Sequence, residues 1–152
     1  MEGLNKSEST KTVRCAAVIS NEIGQLLVIR QGDTYSLPAR EIAYTQSTNE
    51  CIEAALREVQ ESCGPCGVHV DTATGQLELD TERSLLLVFG WVTERSGPKL
   101  RSTPDGAPSP LWLTRAKERQ LASNLWNIYS SPSDLALSIA LLMRSQTDNR
   151  RE

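Results

Sequence analysis

The chain has 152 residues, 39% hydrophobic and 23% charged, with a net charge of −3 from 16 basic and 19 acidic side chains. That size and balance suit one domain with its own core and exclude a disordered chain. They also argue against duplex nucleic acid or an anionic membrane as a bulk partner, and no apolar run approaches the roughly 20 residues that cross a bilayer.

The N-terminus, MEGLNKSESTKT, is polar and lacks the apolar stretch of a signal peptide. A cytoplasmic location is therefore expected, with Cys15, Cys51, Cys63 and Cys66 as free thiols. Residues 1–11 read as a flexible tail, residues 12–145 as a single domain, and residues 146–152 as a second tail. Val13 to Ile19 and Gln25 to Arg30 read as strands joined by the turn Asn21-Glu22-Ile23-Gly24, a hairpin. Gln31 to Tyr35 is expected as a loop and Ser36 to Ser47 as an irregular stretch. Thr48 or Asn49 is placed to cap a helix running to about Ser62, with Ile52, Ala55, Leu56, Val59 and Cys63 at helical spacing. Gly64-Pro65 stops it.

Val68 to Val70 and Gly75 to Leu79 are short strand candidates, and Ser84 to Thr93 (SLLLVFGWVT) reads as a strand buried on both faces. Gly97 to Pro110 reads as a long loop and Leu111 to Leu113 as a short apolar run. Ser133 is expected to cap a last helix, Asp134 to Arg144, with Leu135, Ile139, Leu142 and Met143 inward. The order β-β-α-β-β-(β)-α predicts a mixed sheet covered by helices, an α+β or α/β/α layer fold.

The chemistry gathers at the end of the first helix, Arg57-Glu58-Val59-Gln60-Glu61-Ser62-Cys63-Gly64. At about 100° per residue, Glu58 and Glu61 lie roughly 60° apart on one flank. Carboxylates are the hard ligands that Mg²⁺ or Mn²⁺ prefers, and Arg57 stands at i,i+4 to Glu61, where it can orient it. The bland alternative is a solvated helix face laced with i,i+4 pairs.

Leu37-Pro38, the Arg57–Gly64 block, the upstream hairpin and the downstream Pro110-Leu111-Trp112-Leu113-Thr114 together resemble the Nudix hydrolases over most of residues 13 to 145. The resemblance implies a Nudix-like α/β/α sandwich, a mixed β-sheet between helices. It implies a pyrophosphohydrolase that cleaves a diphosphate linkage in a nucleoside diphosphate derivative with Mg²⁺ or Mn²⁺. Glu58 and Glu61 would hold the metal, and Arg57 would act with them in catalysis. Several positions depart from the family's box. Its Pro-Gly-Gly is here Pro38-Ala39-Arg40, its glycine falls on Ala43, its first glutamate on Asn49, and the second of its paired glutamates is Ser62. The alternative is therefore a catalytically inactive Nudix-fold module that binds nucleotide or protein.

Arg40, close to the box loop, is the candidate substrate-binding residue for a small-molecule nucleotide or other diphosphate. Glu50, Glu78, Glu82 and Glu94 are candidates for a further catalytic acid. A homodimer is left open.

Cys63-Gly64-Pro65-Cys66 is identical to the tetrapeptide of thioredoxin-like proteins. There the first cysteine opens a helix; here it closes one, where the dipole disfavours a thiolate. Cys63, Cys66, His69 and Asp71 offer zinc-type ligands, but all from one short stretch. Trp91, Trp112 and Trp126 could stack on a base; core packing is expected for Trp91 and Trp112.

Overall fold

The computed structural model describes residues 11–100, 103–104, 106–124 and 135–151. Arg101, Trp126, Ser133, Asp134 and residues 1–10 lie outside the described residues. The strands are β1 (Thr12–Ser20), β2 (Leu26–Gln31), β3 (Thr34–Ser36), β4 (Ala39–Ala43), β5 (His69–Ala73), β6 (Leu77–Glu78), β7 (Arg83–Trp91) and β8 (Ser109–Leu113). The helices are α1 (Thr48–Cys63), α2 (Arg115–Asn124) and α3 (Leu135–Arg151).

The eight strands form one mixed sheet whose main path is β3-β2-β1-β7-β5. Parallel pairing joins β1 to β7 along their full length, from Thr12 opposite Arg83 to Ser20 opposite Trp91. The remaining pairs are antiparallel. Ser20 faces Leu26 at the hairpin base, after which β1 takes β4 as its neighbour and β2 takes β8. The hairpin read from the sequence is thus present, but it is splayed.

Side chains alternate across a strand, and β1 shows the consequence. Val13, Cys15, Ala17 and Ile19 pack under α1 with Cys51, Ala55 and Val59. Ala16 and Val18 pack on the other face with Ala136, Leu137, Ala140 and Leu141 of α3. Along β7, Leu86 and Val88 join the first core while Leu85 and Leu87 join the second. The sheet is therefore a filled middle layer between helices, the expected α/β/α sandwich and an α+β fold overall.

The Ser47 side chain caps α1 by accepting from the Glu50 backbone N–H at 3.3 Å, one residue ahead of the expected Thr48. At its far end Gly64 takes φ 112°, a conformation that L side chains rarely adopt, and its N–H donates to the Gln60 carbonyl at 3.1 Å.

Several local expectations change. Thr34–Ser36 and Ala39–Ala43 are strands rather than loop and irregular chain. Neither carries a clean apolar alternation, and sheet pairing supplies what local propensity lacks. In α3 the buried apolar residues among those described are Ala136, Leu137, Ala140 and Leu141, whereas Leu135 is 51% exposed and Met143 is 39% exposed. The segment LALSIALLM is apolar nearly all round, so periodicity alone does not choose its inner face; the structure selects one on which alanines allow close approach. The helix also continues to Arg151, past the anticipated Arg144. Trp91, expected in the core, is 45% exposed at the end of β7. No helix among the described residues is long and apolar enough to cross a membrane.

Candidate active site

Strand register brings the site together. Arg40 of β4 pairs with Cys15 of β1. Directly opposed residues point to one face, and Cys15 lies in the core beneath α1. The Arg40 side chain therefore emerges on the α1 side. There Nε donates to Glu58 Oε1 at 3.3 Å, and Nη2 pairs with Glu61 Oε2. The Ser62 hydroxyl, one turn along from Glu58, donates to Glu58 Oε2. One guanidinium thus bridges both carboxylates, with both oxygens of Glu58 and one of Glu61 engaged. The cluster is half-buried at Arg40 and Glu58 and open at Glu61, whose side chain is 58% exposed.

Arg57 sits elsewhere. Its side chain is exposed and has no described hydrogen-bond or ion-pair partner. The arginine that meets Glu61 comes from β4, not from the helix itself. The candidate further acids are also dispersed. Glu50 is in the first turn of α1, about 12 Å along the axis from Glu58 by helical rise. Glu78 and Glu82 line a cavity of about 340 Å³ with Lys11, Tyr44, Asp80 and Arg83. Glu94 accompanies Glu22 on another cavity, its backbone N–H donating to Glu22 Oε1 at 3.0 Å.

That second cavity, about 370 Å³, opens where β1 and β7 end, between Asn21–Ile23, Val92–Glu94, Gly97, Pro98 and Trp112. Crevices beyond the carboxyl ends of parallel strands are favoured ligand sites. The Gly67 N–H donates to the Ser96 carbonyl at 2.7 Å, tying the chain after α1 to the cavity's loop. Trp112 is partly buried against the α1-side core, close to its expected role.

The Cys63–Cys66 segment closes α1, as helix polarity predicts. Burial pushes the Cys63 thiol up to about 12, helped by neighbouring Cys66 and Glu58, and burial raises Cys66 as well. These are protonated thiols rather than activated nucleophiles. His69 stacks on Trp91, ring centroids 4.3 Å apart and planes 20° off parallel. Among the described residues no group of three or more His, Cys, Asp or Glu side chains converges as metal ligands. The stack required the His69–Trp91 strand register, which no local signal in the sequence carries.

The fit of a divalent cation follows from these contacts. Mg²⁺ demands near-octahedral oxygen ligands at about 2.0–2.1 Å. Arg40 and Ser62 engage three of the four carboxylate oxygens, both of Glu58 and one of Glu61, which leaves a single Glu61 oxygen for such an ion. A divalent cation about 5 Å from a guanidinium is repelled by roughly 2 kcal/mol in a water-like dielectric and by about 7 kcal/mol at an effective dielectric of 20. As they stand, Arg40, Glu58, Glu61 and Ser62 form a closed ion-pair cluster and do not fit an open metal cage.

No family model matches the sequence. No curated protein matches it in sequence either. Solved structures do match in fold. A Nudix hydrolase from Nitrosomonas europaea superposes with a TM-score of 0.60 at 14% identity, covering 90% of this chain and 90% of that one. An ADP-ribose pyrophosphatase from Streptococcus suis gives 0.55 at 16% identity, covering 90% and 93%. A protein described as an oxidoreductase from Sinorhizobium meliloti gives 0.54 at 15% identity; 95% of this chain is covered but only 43% of that chain, so this chain spans under half its length. The chain has the Nudix fold.

Proposed function

We propose that this chain is a Nudix-fold module that binds a small nucleotide or other diphosphate ligand without metal-dependent hydrolysis. The observation that carries the reading is the Arg40 bridge between Glu58 and Glu61, with Ser62 hydrogen-bonded to Glu58. The cavity beside Trp112 offers room for a small ligand; Arg40 does not line it, and at its own cluster keeps guanidinium donors for phosphate oxygens. The likeness in fold to an ADP-ribose pyrophosphatase supports the ligand class.

A second reading is the hydrolase itself, cleaving a diphosphate linkage with Mg²⁺ or Mn²⁺ held by Glu58 and Glu61. The exposed Glu61, with one oxygen outside the ion pair, supports it, because Mg²⁺ sites often use only one or two carboxylates plus substrate phosphates and water.

Assay of a panel of nucleotide pyrophosphates with each ion separates the two. The expected outcome is a wild-type rate indistinguishable from those of Glu58→Gln and Glu61→Gln. Turnover by the wild type that both substitutions abolish would restore the hydrolase reading.

A further inference from the structure

The Arg40 cluster has the composition of a cation site whose cation is covalently attached to the protein. Two carboxylates from successive turns of α1 converge on one positive group, and a hydroxyl from the same helix completes the set. The positive group enters from a different element, held by the Arg40–Cys15 pairing of β4 with β1. A tethered guanidinium competes as an intramolecular ligand at high effective concentration, and it requires none of the dehydration that Mg²⁺ resists. Its planar fork also spans two carboxylates at once, which a hydrated ion does only after losing water.

We propose that Arg40 is a resident counter-ion occupying the place of a divalent cation between Glu58 and Glu61, and that it keeps the intact chain unresponsive to Mg²⁺ and Mn²⁺. The inference rests on the closed-cluster reading given above and names what closes the cluster. Its corollary is a latent metal site. Without the guanidinium, Glu58 and Glu61 carry two uncompensated negative charges side by side, with the Ser62 oxygen adjacent, and a divalent ion relieves their repulsion.

The experiment is Mn²⁺ titration followed by calorimetry and by the paramagnetic resonance signal of free Mn²⁺, on wild type, R40A, R40K and R40A/E61Q. Wild type and R40K are expected to show no saturable binding in the millimolar range. R40A is expected to bind at least about tenfold more tightly than wild type, the added affinity arising from two unpaired carboxylates, and R40A/E61Q is expected to lose that gain. Circular dichroism checks that each variant is folded. Should R40A fail to fold, R40Q takes its place, since the amide keeps a donor and removes the charge.

Equal affinity in wild type and R40A, whether both bind or neither does, would overturn the inference. Metal-dependent turnover by the wild type would overturn both the inference and the proposed function. Failure of ADP-ribose to bind the wild type in a metal-free titration would overturn the proposed function alone and leave the Mn²⁺ comparison standing, so the two failures are separately visible.

Discussion

Arg40 and Arg57 carry the same charge and have opposite fates. Arg57 projects into solvent from the helix that bears both glutamates, while Arg40 reaches them from a strand. An i,i+4 pair on a solvated helix is worth a few tenths of a kcal/mol, so Arg57 gains little by folding over Glu61. The thiols show a similar influence of position. Burial raises Cys15 and Cys63 to about 12, from an ordinary value of 9.0. Between those two values the folded state retains protons that the unfolded chain has released. Stability is thus unaffected by these thiols below about pH 9 and falls as pH rises toward 12. Urea midpoints measured at pH 8, 10 and 11 should decline, and less so in C63A. At pH 8 Ellman's reagent should reach the buried Cys15, Cys51 and Cys63 slowly in the native protein and all four thiols at once in urea. The importance of Arg40 was legible in the sequence only as a position near the box; its partners depend on β4 lying beside β1, information that local sequence does not contain.

Besides its apolar packing on the sheet, helix α3 is tied to its neighbours through the Arg144 side chain. Arg144 donates to both Glu118 oxygens of α2, at 2.7 and 2.9 Å, and to the Gly24 carbonyl in the β1–β2 turn at 2.6 Å. Glu118 is nearly fully buried, so removing its partner strands a charge. R144M should cost about 2–4 kcal/mol and lower Tm by roughly 5–15 °C. The double variant R144M/E118L should recover part of that loss, since it leaves no unpaired buried charge; thermal melts of the three proteins decide the matter. At this scale much was readable. The amphipathic α1 with its glycine stop and the two long apolar strands announce themselves by period and punctuation. Strand β4 does not, because AREIA is half-exposed on both sides and owes its conformation to β1. The buried side of α3 was equally hidden, since a helix apolar on most faces leaves the choice to its neighbours.

The whole molecule is a sheet with both faces covered, and its middle is the parallel pair β1–β7. Layer order followed from the alternation of elements in the sequence. Strand order did not, because parallel pairing between distant segments leaves no mark on either. A chain ending at residue 82 would lack β7, and with it the partner of β1 and β5 and the floor of both cores. Such a fragment should show no cooperative melt by circular dichroism; a sharp transition would mean that the N-terminal half folds alone.

The same pairing also sets a schedule for the chain as it is made. β1 leaves the ribosome roughly seventy residues ahead of the strand it must lie against, about 4–14 s at ordinary synthesis rates. For that interval VRCAAVI is an apolar β-forming segment with one lasting edge unclaimed. The protein's exposure to aggregation or chaperone capture is therefore greatest before its seventh strand exists, and codon speed upstream of residue 83 becomes a determinant of yield.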